Sequence, residues 1–247
     1  MSEPEGADSE IGKAHVLAHL LSPDDSRSRD EPEIATNIGV QLKHMGLSTW
    51  SISILRRLRD AIGRLKPESI LEVGAGIGHR SAWIYDLFSS DGSTPKRFQM
   101  VEDGAKFSVI LRRLMLRHDA ESYTSIVVGN LDALVAETNA WHAASSTGLE
   151  VGNPPLESSH DAIIVDGISE NRARNVEALL PFLSPSGVLF TVEPDMPLGN
   201  VEEDDKEGML VVDGFNQWME FIKSANESHH IAFMPLFGGT LVALTKK

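Results

Sequence analysis

At 247 residues the chain has the length of one α/β domain with additions and can bury a large core. Its 36 acidic against 22 basic side chains give a formal charge of -14, which repels phosphate backbones and anionic membranes and makes nucleic acid a poor first substrate. The absence of cysteine excludes disulfides, thiolate metal sites, cysteine nucleophiles and iron-sulfur clusters.

No stretch reaches the roughly 18 apolar residues of a membrane span. The polar, acidic N-terminus is unlike a signal peptide, so a cytoplasmic address with no membrane partner is expected. Residues 1–33 carry Glu3, Glu5, Asp8, Glu10, Asp24, Asp25, Asp30, Glu31 and Glu33 and read as an acidic, mobile arm. Within it Ile11, Val16, Leu17, Leu20 and Leu21 have the spacing of one short helix. Residues 34–247 read as a single domain, with helices over 34–66 and the core over 67–247. In the helical part Ile52, Leu55, Leu58 and Ile62 recur with helical period, and Gly46-Leu47-Ser48 marks a turn with Ser48 as cap. The nearby basic run, Arg56, Arg57, Arg59, Arg64 and Lys66, reads as a solvated helix face.

Ile70, Leu71 and Val73 form an apolar run too short for a helix, hence a buried parallel strand. It breaks into Gly74, Gly76 and Gly78, and helical spacing resumes at Ala82, Trp83, Ile84, Leu87 and Phe88. Strand, glycine loop and helix start make a nucleotide cradle. A dinucleotide fingerprint needs G-x-G-x-x-G, whereas these glycines fall as G-x-G-x-G with His79 in the third dinucleotide position, which argues against an NAD oxidoreductase.

Phe98 to Glu102 reads as a second strand ending in acid, where a carboxylate can accept hydrogen bonds from both ribose hydroxyls; Asp103 follows it. A helix through Phe107, Ile110, Leu111, Leu114 and Met115 leads to a third strand, Ser125 to Val128, and to Gly129-Asn130-Leu131-Asp132, residues that also suit turns and helix caps. The polar stretch 145–159 reads as a long loop. His160 to Val165 is a continuous apolar strand that delivers Asp166. Ligands of open α/β sheets bind beyond the carboxyl ends of the strands, so Gly74, Glu102, Asn130 and Asp166 are expected to converge on one crevice. A helix through Val176, Leu179, Leu180 and Phe182, a turn at Ser184-Pro185-Ser186-Gly187, a strand over Val188 to Val192 and a helix through Phe215, Trp218, Met219 and Ile222 follow. Strands at His230 to Met234 and Thr240 to Leu244, with glycines between them, close the chain.

The opening glycine spacing, with Glu72 two residues before Gly74, resembles motif I of the class I S-adenosylmethionine (SAM) methyltransferases. From about Gly46 onward the order of motifs resembles the O-methyltransferases of the catechol and caffeoyl-CoA type. It rests on Leu71-Glu72-Val73-Gly74, Asp161 to Gly167, Leu180-Pro181-Phe182-Leu183, Ser186-Gly187-Val188-Leu189, Leu198-Gly199-Asn200-Val201 and Met234 to Leu241. The resemblance implies a Rossmann-like, mostly parallel sheet with an antiparallel last strand, helices on both faces and N-terminal helical additions. It implies SAM as cofactor, bound by Glu72, Gly74, Ala75, Gly76, Gly78, Glu102, Asp103, Asn130, Leu131 and Asp166, with Asn130 or Asp132 on the adenine edge. It also implies a small-molecule acceptor methylated at oxygen, and a dimer would be ordinary for the family. The family holds a divalent cation with the Asp ending strand four and an Asp-Asn pair ending strand five, and uses a lysine base. Asp166 matches the first ligand, but Glu193-Pro194 falls at the pair and Ser169 at the lysine. Magnesium is therefore doubtful and no metal ligand is assigned, although Asp166, Glu193 and Asp195 could offer a hard cation oxygen. Asp166 and, second, His79 are the candidates for orienting or deprotonating the acceptor. The missing lysine and amide leave a silent SAM-binding scaffold as one alternative, and the basic run leaves a protein or RNA methyltransferase as another.

Overall fold

The structure, a computed structural model, describes residues 16–148, 152–197 and 205–247. Ile11 of the expected arm and the motif Leu198-Gly199-Asn200-Val201 lie outside the described residues.

Helices α1 (Glu33–Met45) and α2 (Ile52–Leu65) precede the sheet. Gly46 ends α1 at φ +66°, the left-handed position a helix stop favours, so the predicted turn is present. The cap differs from expectation: the Ser51 hydroxyl, rather than Ser48, accepts from Ile54 N–H at 3.3 Å and donates to Phe237 O at 2.6 Å. The core then runs β1 (Ser69–Val73), α3 (His79–Asp91), β2 (Arg97–Glu102), α4 (Ala105–Arg117), β3 (Thr124–Val128), α5 (Leu131–Ser146), β4 (His160–Val165), α6 (Arg172–Leu179), β5 (Leu183–Val192), α7 (Lys206–Ser228), β6 (His229–Leu236) and β7 (Gly239–Lys246).

Seven strands form one sheet in the order β3-β2-β1-β4-β5-β7-β6. The first five pair in parallel, and β7 runs antiparallel between β5 and β6. Period-two alternation splits the strand side chains between two cores. Ile70, Phe98, Met100, Ala162, Ile164 and Phe190 pack with α1 to α4, while Leu71, Val73, Val101, Ile163, Val165 and Leu189 pack with α5, α6 and α7. The expected turn at Ser184 to Gly187 lies inside β5, where the register with β4 slips from His160 opposite Leu183 to Ala162 opposite Val188.

Residues 16–32, expected to belong to a mobile arm, are held against the domain. A helical stretch at 16–20 and the turn that follows it bury Leu17, Leu20 and Leu21 in the core. The basic run does the holding, which corrects its reading as a solvated face. Arg64 donates to Leu20 O at 3.1 Å, Ser22 O at 2.6 Å and Pro23 O at 2.7 Å, Arg57 to Leu21 O at 2.6 Å, Arg59 to Ser28 O at 2.8 Å and Arg56 to Arg29 O. These guanidiniums satisfy carbonyls that the irregular segment cannot pair with itself. Among the described residues no helix is long and apolar enough to cross a membrane.

Candidate active site

Parallel pairing continues one residue past the central strands, and these extra rungs set the site. Gly74 N–H donates to Val101 O at 3.1 Å, Asp166 N–H to Val73 O at 3.0 Å and Gly129 N–H to Glu102 O at 3.1 Å. Gly74, Glu102, Asn130 and Asp166 thus meet at the carboxyl edge, where the strand order reverses between β1 and β4. Two cavities open there. One of about 360 Å³ is lined by Gly74, Glu102, Asp103, Asn130, Leu131 and Asp166. Another of about 710 Å³ is lined by Trp50, Gly76, Phe107, Asp166, Arg172 and Glu193, and the two share Gly74, Glu102 and Asp166.

At Gly74, φ is +73° and a Cβ would lie 2.6 Å from the Asp166 carbonyl oxygen, so only glycine lets the ends of β1 and β4 approach this closely. Glu102 is the clasp of the loop. Its Oε2 accepts from Gly76 N–H at 2.7 Å and its Oε1 from Gly104 N–H at 2.9 Å. An ionised carboxylate offers about four acceptor sites, so capacity for two more donors remains. Asn130 caps α5, its Oδ1 accepting from Asp132 N–H at 3.1 Å and Ala133 N–H at 3.4 Å.

Three of the expected cofactor residues stand back from the crevice. Glu72 is fully buried and accepts from Arg80 Nε at 3.2 Å and the Ser81 hydroxyl at 2.6 Å. Burial raises its pKa, and Arg80 and Ser81 offset only part of that. Ala75 and Gly78 are buried as well, Gly78 under Leu111 and Leu114. The strand alternation that sends Leu71 and Val73 to one core turns Glu72 inward to the other.

His79, a candidate acid or base, also lies away from the cavities, facing the N-terminal helices. Its Nε2 is 2.9 Å from Glu31 Oε1 and its Nδ1 is 3.0 Å from Thr49 Oγ1. A carboxylate can only accept, so Nε2 carries the proton and Nδ1 accepts from the hydroxyl. Burial lowers the pKa of this imidazole despite Glu31. Both ring nitrogens are occupied in fastening α3 to Glu31 and Thr49, so no lone pair is left for an acceptor.

Asp166 is in the crevice, but its setting is not that of a base. Trp50 Nε1–H donates to Oδ1 at 2.9 Å, Arg80 Nη1 to Oδ2 at 2.5 Å, and Arg172 Nη1 lies 3.6 Å from Oδ1. Burial by itself raises the Asp166 pKa, yet Arg80 first and Arg172 next outweigh it and hold the carboxyl below its ordinary value. A carboxylate so stabilised is a feeble proton acceptor. Arg80 is the hub: it also donates to the Gly74 carbonyl, and its guanidinium lies 5.0 Å from the centre of the Trp50 ring. Burial disfavours its charge, but Asp166 and Glu72 more than restore it and raise its pKa.

No family model and no curated protein sequence matches the chain. Solved structures do. The Podospora anserina methyltransferase PaMTH1, bound to SAH, aligns over 100% of this chain and 99% of that one at 16% identity, with a TM-score of 0.61. The chain has the class I methyltransferase fold. An O-methyltransferase from Bacillus cereus in complex with SAH shares this methyltransferase fold over 95% and 97% of the two chains, at 18% identity and a TM-score of 0.61. So does the O-methyltransferase TomG of Streptomyces achromogenes, involved in tomaymycin synthesis and solved with SAM, over 96% of each chain at 14% identity and 0.61.

The donors around Asp166 do not fit the divalent cation of the resembled family. Two guanidiniums stand beside the carboxylate, Pro194 supplies no side-chain donor, and among the described residues no group of three or more His, Cys, Asp or Glu could hold a metal ion. Sequence reasoning passed over Arg80 and Arg172. Arg80 stands two residues after Gly78, and a basic residue within the first turn of a helix, where the dipole disfavours it, was the available signal.

Proposed function

We propose that this protein is a SAM-dependent methyltransferase that methylates an oxygen of a small-molecule acceptor. One observation carries the reading: a crevice at the sheet's reversal point in which the Gly74 loop, Glu102 and Asn130 converge. The residues suit SAM. Gly76, at φ +58°, would point a Cβ into open space, and Glu102 keeps acceptor capacity for the ribose hydroxyls. Asn130, Leu131 and Asp103 would border the adenine and ribose, and Gly74 to Gly76 the methionine part. The larger cavity, with Trp50, Phe107 and Val192 on its walls, would take the acceptor. Transfer breaks the sulfonium C–S bond, forms an O–CH₃ bond and leaves the thioether S-adenosylhomocysteine (SAH); a hydroxyl acceptor gives up its proton to water. What the protein contributes is alignment and a low-dielectric enclosure. The basic run speaks against an RNA substrate, because its guanidiniums are bonded to backbone carbonyls.

The engaged nitrogens of His79 and the arginine-bound Asp166 favour one second reading, a SAM-binding protein without transferase activity. Calorimetry with SAM and SAH tests the shared element, and transfer of a labelled methyl group to any member of a phenol, acid and amine panel separates the two. Absence of SAM binding would reject both.

A further inference from the structure

We propose that a fixed guanidinium pair, Arg80 and Arg172, takes the place of a divalent cation in this site, with Arg172 the group that meets the acceptor oxygen. The inference rests on the methyltransferase reading and goes beyond it by assigning the positive charge and the kind of acceptor. Arg80 is the anchor, wholly engaged by Glu72, Gly74 O, Asp166 and the face of Trp50. Arg172 is the one with donors to spare. It borders the 710 Å³ cavity, and it is only 7% exposed. Nη1 donates to Val192 O at 3.0 Å and Nη2 to Gly167 O at 2.5 Å, which fixes the plane of the fork. Its Nε is buried without a partner.

A buried, charged donor left short of acceptors is costly and needs a reason. Nε itself is closed to solvent, so an oxyanion would meet the guanidinium on the side that borders the cavity and offset its charge there. The guanidinium fork is rigid and permanently charged, so it presents a cation to that oxygen without requiring ligands from Pro194. The same cavity carries Glu102, Asp166, Glu170, Glu193 and Asp195, and Arg172 is the basic residue on its wall; Asp166, 3.6 Å away, offsets part of its charge, while the other carboxylates repel an anion elsewhere and leave Arg172 as the place where it can rest. The acceptor class that follows is a phenol or carboxylic acid that reacts as its oxyanion, so no protein base is needed. This accounts for a serine at the expected lysine and for the unsuitability of Asp166 and His79 as bases.

The test has two arms on the full chain. In the first, Mn²⁺ is titrated into the wild-type protein with and without SAH and followed by electron paramagnetic resonance; the signal is expected to remain that of the free ion. Bound Mn²⁺ that is released in Asp166→Asn would overturn the proposal. In the second, 4-nitrophenol is added to the SAH complex and its titration read by visible absorbance. Arg172 should favour bound nitrophenolate, shifting the equilibrium at least about tenfold. The shift should vanish in Arg172→Gln and survive in Arg172→Lys, with folding of both variants checked by melting. A probe that fails to bind, or binds with an unshifted titration, overturns it. If SAH itself does not bind, the methyltransferase reading fails, and the wild-type Mn²⁺ arm still reports on the guanidinium pair alone.

Discussion

Replacing Arg80 by methionine is the perturbation that probes the architecture of the site most sharply. Methionine keeps the length and apolar stem of arginine but removes every donor, leaving Glu72 at 0% exposure with only the Ser81 hydroxyl. Asp166 keeps Trp50 and the more distant Arg172. Removing one partner from a buried ion pair costs about 3–5 kcal/mol, because a desolvated charge stays behind. In a domain of this size each kcal/mol shifts Tm by about 2–4 °C, so Tm should fall by roughly 6–20 °C. The loss should grow as pH rises. The Glu72 pKa is raised in the folded state, so between its unfolded and folded values the native protein holds more protons, and stability declines with increasing pH until the folded value is passed. Without Arg80 that folded value moves higher still, extending the decline toward neutrality. Urea unfolding at a series of pH values measures this, and Glu72→Gln in the Arg80→Met background should recover part of the loss. A loss below about 1 kcal/mol with no pH trend would refute the account of Arg80 as the charged hub.

Acid should unfold the protein partly through His160. Its Nδ1 lies 2.9 Å from the Ser69 hydroxyl, its Nε2 lies 2.8 Å from Glu157 O, and burial depresses its pKa from 6.5 to about 4. The unfolded chain takes up this proton first, so stability falls as pH drops from 6.5 toward 4, by about 3 kcal/mol in all; His160→Gln should flatten that slope in pH-dependent melting. Gly74→Ala should cost at least about 2 kcal/mol and weaken SAM binding, since the new methyl meets the Asp166 backbone at 2.6 Å and the site must open. Arg64→Ala should expose the segment 20–23 to hydrogen exchange and proteolysis, at a cost of about 1.5–3 kcal/mol for each lost charged hydrogen bond, with little effect on SAM affinity.

The parts of the site legible in the sequence are those fixed by local rules. A short branched run ending in glycine or acid identified β1, β2 and β4 together with the residues they deliver, because strand period and strand termination are both local. Helix α5 was not foreseen: apart from Leu131, Leu134 and Thr138 its side chains are not buried, so the expected apolar stripe is thin. Side-chain partners were not legible at all. Trp50 meets Asp166 across 116 positions, Arg80 meets it across 86, and His79 meets Glu31 across 48. No periodicity encodes such pairs; they follow from which helix covers which strand end. For the same reason the acidic composition of residues 1–33 suggested an arm, while the arginines that hold residues 16–32 lie on α2, one helix further along the chain.

The central claim is that the crevice beyond β1, β2, β3 and β4 binds SAM. Isothermal calorimetry of the wild-type chain and of Glu102→Ala with SAM tests it most directly. The account predicts saturable binding at one site per chain in the wild type, weakened at least about tenfold, or 1.4 kcal/mol, in the variant. No heat and no rise in melting temperature with SAM, or equal affinity in both proteins, would contradict it.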